Sequence, residues 1–159
     1  MHKAPLLIAG LIAAPASAAG TLTVTIPRLA VAEYHRPYVA GWIEPAGGGA
    51  AQTLFVWYDV KKTGGEPGTK WLADLRTWWR KGGRGMHLPA DGVSGATRPA
   101  GVHKLTLPDG IKPGQYTLYV EAARETGGRE IVSTPLSVPL KPASAAGKAE
   151  LGAITLSPR

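Results

Sequence analysis

Short segments of alternating apolar and polar residues, separated by glycine and proline turns, recur along most of the chain. In residues 21–27, for example, Leu22, Val24 and Ile26 alternate with threonines. Side chains two residues apart lie on the same face of a strand, so this alternation predicts strands with one buried face. The predicted strands are 21–27, 38–44, 53–60, 102–107, 115–123, 130–140 and 150–156. About seven short strands at this spacing predict an all-β fold, an immunoglobulin-like antiparallel β-sandwich.

Two features refine the prediction for the last third of the chain. Pro135 and Pro139 interrupt the segment 130–140, and proline cannot donate a hydrogen bond to a neighbouring strand. We therefore expect this segment at the edge of a sheet. Residues 142–148, Pro-Ala-Ser-Ala-Ala-Gly-Lys, have the composition of a linker.

One segment, residues 69–81, departs from the alternating pattern. Its apolar residues recur at the spacing of an α-helix: Trp71, Leu72, Leu75, Trp78 and Trp79. Thr69 is a suitable N-cap and Gly82 a suitable C-terminal cap, so a helix of about three turns is predicted. Residues 82–101 follow neither periodicity and are predicted to form a long loop, a kind of segment that often carries function.

The N-terminus has the three parts of a cleavable secretion signal. His2 and Lys3 give a positive start, residues 6–14 form an apolar core, and Ala16-Ser17-Ala18 is a small-x-small cleavage site. The apolar run is shorter than the roughly 20 residues that span a bilayer. The sequence therefore predicts a signal peptide over residues 1–18, export to the periplasm, and one sandwich domain over residues 19–159.

Composition excludes several classes of site. Cysteine is absent, which excludes thiolate catalysis, iron–sulfur clusters and cysteine-ligated zinc. The three histidines after the signal lack metal-ligand spacing, so no metal site is predicted: His35, His87 and His103. The net charge is +7, but the basic residues form no single run and no nucleic-acid motif is present. We therefore expect no nucleic-acid partner.

The predicted loop contains the segment Asp-Gly-Val-Ser-Gly-Ala-Thr at residues 91–97. Its glycines relax the backbone, and its last residue offers an accessible hydroxyl. The segment resembles the acceptor motif Asp-x-x-Ser/Thr-Gly-Ala-Thr/Ser of proteins that receive covalent FMN from an extracytoplasmic FAD:protein FMN transferase. The residues that match are Asp91, Ser94, Gly95, Ala96 and Thr97. The resemblance implies that Thr97 bears the FMN as a phosphoester.

Longer stretches resemble the DUF2271 family of predicted periplasmic proteins. They are residues 36–44, 72–80, 91–101 and 114–125. The family is associated with flavin transferases, PepSY-type membrane proteins and iron uptake. The resemblance therefore implies an electron carrier rather than a stand-alone enzyme. It would take electrons from a PepSY-type membrane reductase and pass them to a periplasmic acceptor such as ferric iron or a ferric siderophore.

Aromatic and basic residues near the motif are candidates for holding the flavin. The tryptophans Trp71, Trp78 and Trp79 are candidates for stacking on its ring. The arginines are candidates for neutralising its phosphate: Arg76, Arg80, Arg84 and Arg98. The alternative is that the tryptophans form the core face of the helix and the arginines are solvated. Tyr34 and Tyr38 are predicted to fill the sandwich core, and Glu121, Arg124 and Glu125 to form rim salt bridges with Arg76 or Arg80.

Two functions without flavin stay open at this stage. Small exported sandwiches also serve as binding modules, and residues 82–101 would then form the recognition surface. The chain would otherwise be an accessory subunit that stabilises a membrane reductase.

Overall fold

A computed structural model describes residue 14, residues 16–61 and residues 67–159. The described residues form two facing sheets. In the first, β5 (Gly101–Thr106), β1 (Gly20–Ile26), β9 (Ala153–Pro158) and β8 (Ala143–Ala146) lie side by side in that order. In the second, the order is β4 (Ser94–Ala96), β3 (Gln52–Tyr58), β2 (Tyr38–Pro45), β6 (Gly114–Ala123) and β7 (Arg129–Val138). All pairings are antiparallel except that of β3 with β4.

The predicted all-β sandwich is confirmed, and each predicted strand overlaps an observed one. The edge position expected from Pro135 is also confirmed, because β7 is the outer strand of the five-stranded sheet. Two strands were missed. Residues 142–148 are not a linker, since they contain β8, which pairs with β9. The predicted loop 82–101 contains β4. Both strands consist of small residues, which give no alternating apolar signal.

The five-stranded sheet buries apolar side chains on both of its faces. One core fills the space between the two sheets and includes Leu22, Phe55 and Leu118. A second core lies on the opposite face of the five-stranded sheet and is covered by the helical segment. It contains Ala40, Trp42, Val56, Tyr58, Leu72, Leu75, Trp78 and Ala123. Consecutive residues of β2 and β3 are therefore buried, and these two strands read as apolar runs.

The inserted helix is confirmed, but it is not continuous over residues 69–81. A 3₁₀ helix spans Gly68–Asp74, the backbone breaks at Leu75, and a short α-helix, α1, spans Arg76–Lys81. The buried residues Leu72, Leu75 and Trp78 are three apart, which suits the three residues per turn of 3₁₀ geometry. The predicted cap at Thr69 is also wrong, because Pro67 precedes the first helical residue. The predicted glycine cap is confirmed: the N–H of Gly82 donates to the carbonyl of Trp78.

The start of α1 is capped from outside the helix, by Glu121 of β6. The N-cap residue, Leu75, has no side-chain acceptor. The carboxylate of Glu121 accepts the N–H of Thr77 at 3.0 and 3.1 Å and that of Trp78 at 2.8 Å. Nη1 of Arg129 donates to the same carboxylate at 2.8 Å. This explains a fully buried glutamate: it satisfies amides that a helix leaves without partners, at the end where its dipole favours negative charge.

The rim salt bridges expected of residues 121–125 are therefore wrong in part. Glu121 pairs with Arg129, and Arg124 pairs with Glu150 through Nε and Nη2 at 2.9 and 3.1 Å. Both members of the second pair are buried. Glu150 also accepts the N–H of Gly128 at 3.0 Å, so this pair fixes the turn between β6 and β7.

A further carboxylate, that of Glu130, holds the chain before β9. It accepts the backbone N–H groups of Lys148, Ala149 and Leu151 at 2.6, 3.0 and 2.9 Å. Burial acts to raise the pKa of Glu130, but these hydrogen bonds outweigh it and the pKa is lowered. The stabilisation is thus present above the pKa of an unfolded glutamate, about 4.3, and is lost as the pH falls through the lower folded value.

We expect Glu130→Gln to destabilise the protein at pH 7 and to have less effect at pH 3, because the stabilisation by the charge falls once the carboxylate of the unfolded chain is protonated. Urea unfolding at both pH values measures this. Asp109→Asn, in an exposed turn, is the matched control and should change the unfolding free energy little at either pH. An equal loss at pH 7 and pH 3 would contradict the role given to the charge.

Most of the predicted signal peptide, residues 1–18, lies outside the described residues. Its last residue, Ala18, is described and is buried in the core between the sheets. Within the described ranges, no helix is long and apolar enough to cross a membrane.

Candidate functional site

An open cavity of about 800 Å³ lies at one end of the five-stranded sheet. β2 and β7 begin at this end, whereas β3, β4 and β6 finish there, because of the directions in which the strands pair. Residues far apart in sequence are thereby brought together. The lining residues are Tyr34, His35, Arg36, Tyr38, Asp59, Trp71, Asp74, Arg76, Thr97, Ala123, Arg124, Glu125, Thr126, Gly127, Gly128 and Arg129.

The FMN-acceptor motif delivers its last residue to this cavity. β4 pairs in parallel with β3, and its final residue, Ala96, lies opposite Tyr58. Thr97 follows directly, is half-buried, and lines the cavity. The motif is thus only partly in a loop, whereas the sequence predicted a loop throughout. Its middle residues form an edge strand, which gives Thr97 a defined position.

The first half of the motif forms a closed turn outside the cavity. The N–H of Ser94 donates to the carbonyl of Ala90 at 2.9 Å, and Oγ of Ser94 accepts the N–H of Ala90 at 2.9 Å. Asp91 is exposed in this turn and does not line the cavity. Ser94 and Asp91 therefore lie away from the space that Thr97 faces.

The rest of the motif packs on Trp57 of β3. A Cβ added to Gly95 would lie 3.1 Å from Cδ1 of Trp57, so a glycine fits this close approach best. The guanidinium of Arg98 lies 5.4 Å from the centroid of the Trp57 ring. His103 contacts the same indole edge-on and donates from Nε2 to the carbonyl of Pro99 at 2.8 Å. These contacts hold the chain on both sides of Thr97.

The structure separates the tryptophans predicted to stack on a flavin. Trp78 is 1 % exposed, lies in the second core and donates from Nε1 to Oγ1 of Thr53 at 3.0 Å. Trp79 is half-buried against the same core, and neither residue lines the cavity. Trp71 does line it and is 49 % exposed. Trp78 thus belongs to the core, as the alternative interpretation held.

The arginines predicted to bind the phosphate are also separated, since some line the cavity and others do not. Arg76 lines the cavity, whereas Arg80, Arg84 and Arg98 do not. Three further arginines line it: Arg36, Arg124 and Arg129. The hydrogen bonds to Glu150 raise the pKa of Arg124 against the opposing effect of burial. Arg124 and Arg129 are paired with buried glutamates. Of the four arginines that line the cavity, Arg36 and Arg76 therefore have no acidic partner among the described residues.

One family is matched by this chain. A family model described as "Predicted periplasmic protein (DUF2271)" matches residues 19–153. The chain belongs to the DUF2271 family. The DUF2271 match runs from just before β1 to the first residue of β9, and so includes the motif and every residue that lines the cavity. No curated protein and no solved structure matches the chain.

Several residues of the DUF2271 cavity were not predicted as site residues. Tyr34, expected in the core, is 38 % exposed at the cavity wall. The hydroxyl of Tyr38 donates to the carbonyl of Gly68 at 3.2 Å and lies 3.4 Å from Oδ2 of Asp59. Burial, together with the nearby carboxylate, raises the pKa of Tyr38 to about 12. Tyr38 therefore stays a neutral phenol at physiological pH, and it lines the same cavity as Asp59 and Thr97.

The DUF2271 cavity has mixed charge, because Asp59, Asp74 and Glu125 line it together with the arginines. Such a wall suits a ligand that carries both an anionic group and polar ring atoms. No cluster of three or more metal-ligating side chains occurs in residues 16–61 and 67–159.

Proposed function

We propose that Thr97 carries FMN as a phosphoester and that the protein is a periplasmic electron carrier. The observation that supports this most directly is the position of Thr97. The hydroxyl residue that ends the acceptor motif stands at the end of β4, in the wall of the cavity. In a chance match to the motif, nothing would require its last residue to face a cavity of this size.

The cavity fits the cofactor in size and chemistry. Ligand sites commonly enclose about 300–1,000 Å³, and this one measures about 800 Å³. Arg36 and Arg76 supply guanidinium donors for a phosphodiester, since arginine binds phosphate oxygens with paired hydrogen bonds. Trp71 and Tyr34 supply exposed aromatic surface. Bound here, the FMN would supply the redox chemistry, and the protein would supply position and charge.

The attachment step is balanced without any further reactant. The hydroxyl oxygen of Thr97 attacks the flavin-side phosphorus of FAD and forms a new P–O bond. The pyrophosphate bond breaks, AMP leaves, and the hydroxyl proton is released. An FAD:protein FMN transferase catalyses the step, and the chain gains the mass of FMN less one water.

The partners follow from the family resemblance and from export. A PepSY-type membrane reductase would reduce the carrier, which would pass electrons to ferric iron or a ferric siderophore. The chain would then shuttle electrons and turn over no substrate of its own. A covalent link suits this setting, because a flavin that dissociated outside the cytoplasm would be diluted away.

Coexpression with an active FAD:protein FMN transferase tests the attachment. We expect the purified wild type to show the FMN mass increment and flavin absorbance. Thr97→Val should lose both, whereas Thr97→Ser, which keeps a hydroxyl, should retain them. The matched control is Thr126→Asn, which removes the other threonine of the cavity at a backbone φ of 53° that asparagine tolerates.

Two results would overturn the proposal. The first is a colourless wild type of unmodified mass, obtained while the transferase modifies a known acceptor in the same cells. The second is an unchanged flavin content in Thr97→Val. In either case the cavity would belong to a flavin-free binding module, which is the alternative function of an exported sandwich.

A further inference from the structure

We propose that Trp71 is the stacking platform for a planar aromatic heterocycle in the cavity, with Arg76 as the cation beside it. This inference rests on the proposed function in one respect, because the heterocycle is taken to be the isoalloxazine ring of the flavin that Thr97 carries. It places the ring inside the cavity and not in the solvent. The residues that carry it are Trp71, Tyr34, Arg76 and Thr97.

The exposure of Trp71 is the first observation. The same helical segment buries Leu72, Leu75 and Trp78 completely, yet leaves 49 % of Trp71 accessible. Tryptophan is highly buried on average in folded proteins. An exposed indole in the wall of a cavity offers a large, rigid aromatic surface on which a flat ring can stack.

The contacts of the indole favour stacking on one face. Nζ of Lys70 lies 4.9 Å from the centroid of the Trp71 ring, in cation–π geometry. Because that ammonium lies over one face of the indole, a ligand in the cavity would stack on the opposite face. Tyr34 adds a second aromatic side chain, 38 % exposed, to the same cavity. Aromatic rings pair in offset or edge-on arrangements, which two such side chains can provide for a flat ring.

Arg76 is proposed as the cation beside the ring because of its position and its unpaired charge. It begins α1, one residue after the break at Leu75 that ends the segment holding Trp71. Among the described residues it has no acidic partner, so its donors are available to a ligand. A guanidinium presents a fixed fork of donors, which matches the carbonyl oxygens of an isoalloxazine or the oxygens of a phosphate. Thr97 lines the same cavity and would tether the ring there.

Flavin fluorescence tests the stacking, because an adjacent indole quenches it. The flavinylated wild type should fluoresce several-fold less when folded than after unfolding in guanidinium chloride, which serves as the reference for each variant. In the folded state, the flavin fluorescence of Trp71→Phe should be several-fold higher than that of the wild type. Trp79→Phe is the matched control, because Trp79 is half-buried and outside the cavity. Its flavin fluorescence in the folded state should equal that of the wild type. Equal quenching in Trp71→Phe and Trp79→Phe would overturn the inference.

A second arm separates this inference from the attachment at Thr97. Unmodified Thr97→Val protein is titrated with riboflavin and with FMN, and the quenching of ligand fluorescence is followed. We expect saturable binding that weakens at least several-fold in Trp71→Phe. FMN should bind more tightly than riboflavin, and Arg76→Gln should reduce that preference, with Arg36 still present.

The outcomes are distinct. Covalent flavin at Thr97 that is not quenched by Trp71 would overturn this inference and leave the proposed function standing. Saturable riboflavin binding that depends on Trp71, in a chain that never acquires covalent flavin, would support the platform and overturn the attachment.

Discussion

Replacing Glu121 with alanine is expected to lower the free energy of unfolding by about 3 kcal/mol. The carboxylate is fully buried and is the acceptor for the N–H groups of Thr77 and Trp78. Without it, α1 has no cap, and each buried amide left without a partner costs about 1–3 kcal/mol. Arg129, the ion-pair partner, contributes less, because its side chain is 39 % exposed and can be hydrated.

Urea unfolding followed by tryptophan fluorescence measures the loss. Glu121→Gln keeps one acceptor oxygen, so its free energy of unfolding should fall less than that of Glu121→Ala. The neighbouring Glu125→Ala is the matched control: its side chain is 74 % exposed, so we expect a change within about 0.5 kcal/mol. If Glu121→Ala were as stable as Glu125→Ala, the capping role would be wrong. Because α1 begins with Arg76, the same variant should also weaken flavin binding.

Trp78→Ala is expected to destabilise the protein by about 3–5 kcal/mol, the usual cost of emptying a large aromatic site in a core. The side chain is 1 % exposed, and its Nε1 donates to Thr53. The chain also turns tightly over this ring, since a Cβ on Gly83 would lie 2.7 Å from it. The neighbouring chain can therefore shift little to fill the space that the removed Trp78 indole leaves.

Trp71→Ala is the matched comparison and should change stability by about 0.5 kcal/mol or less, because the indole is half-exposed. Flavin binding should show the opposite order: Trp71→Ala weakens it, whereas the milder Trp78→Phe leaves it near the wild-type level. Chemical unfolding and flavin fluorescence of the same samples give both measurements. A stable Trp78→Ala protein with impaired flavin binding would restore the original interpretation of the helical face.

The sandwich could be predicted from sequence because most strands either alternate or form apolar runs between turns. β1 alternates clearly, and β2 and β3 read as runs because both of their faces are buried. β4 and β8 could not be predicted, since Ser-Gly-Ala and Ala-Ser-Ala-Ala carry too little apolar surface to show a pattern. The break at Leu75 could not be predicted either, because apolar residues three apart are compatible with both an α-helix and a 3₁₀ helix.

Of the residues predicted to hold the flavin, Thr97, Trp71 and Arg76 line the cavity, and a local motif carried the signal for Thr97. Asp59, Arg36 and Tyr34 join it through the order and direction of the strands, which no local pattern reveals. Glu121 did leave a sequence signal. It lies in an apolar strand on the face opposite Leu118 and Val120, so a charge there indicates a buried partner on the helical side.

The place of β4 in its sheet has a consequence for the order of maturation. β4 is an outer strand of three residues, and both cores are built by other elements. Opening an outer strand this short costs far less than global unfolding. The segment that ends in Thr97 would then be able to leave the sheet, enter another protein's active site and return, while the sandwich stays folded. The protein would fold before FMN is attached, and the unmodified form would be a stable precursor.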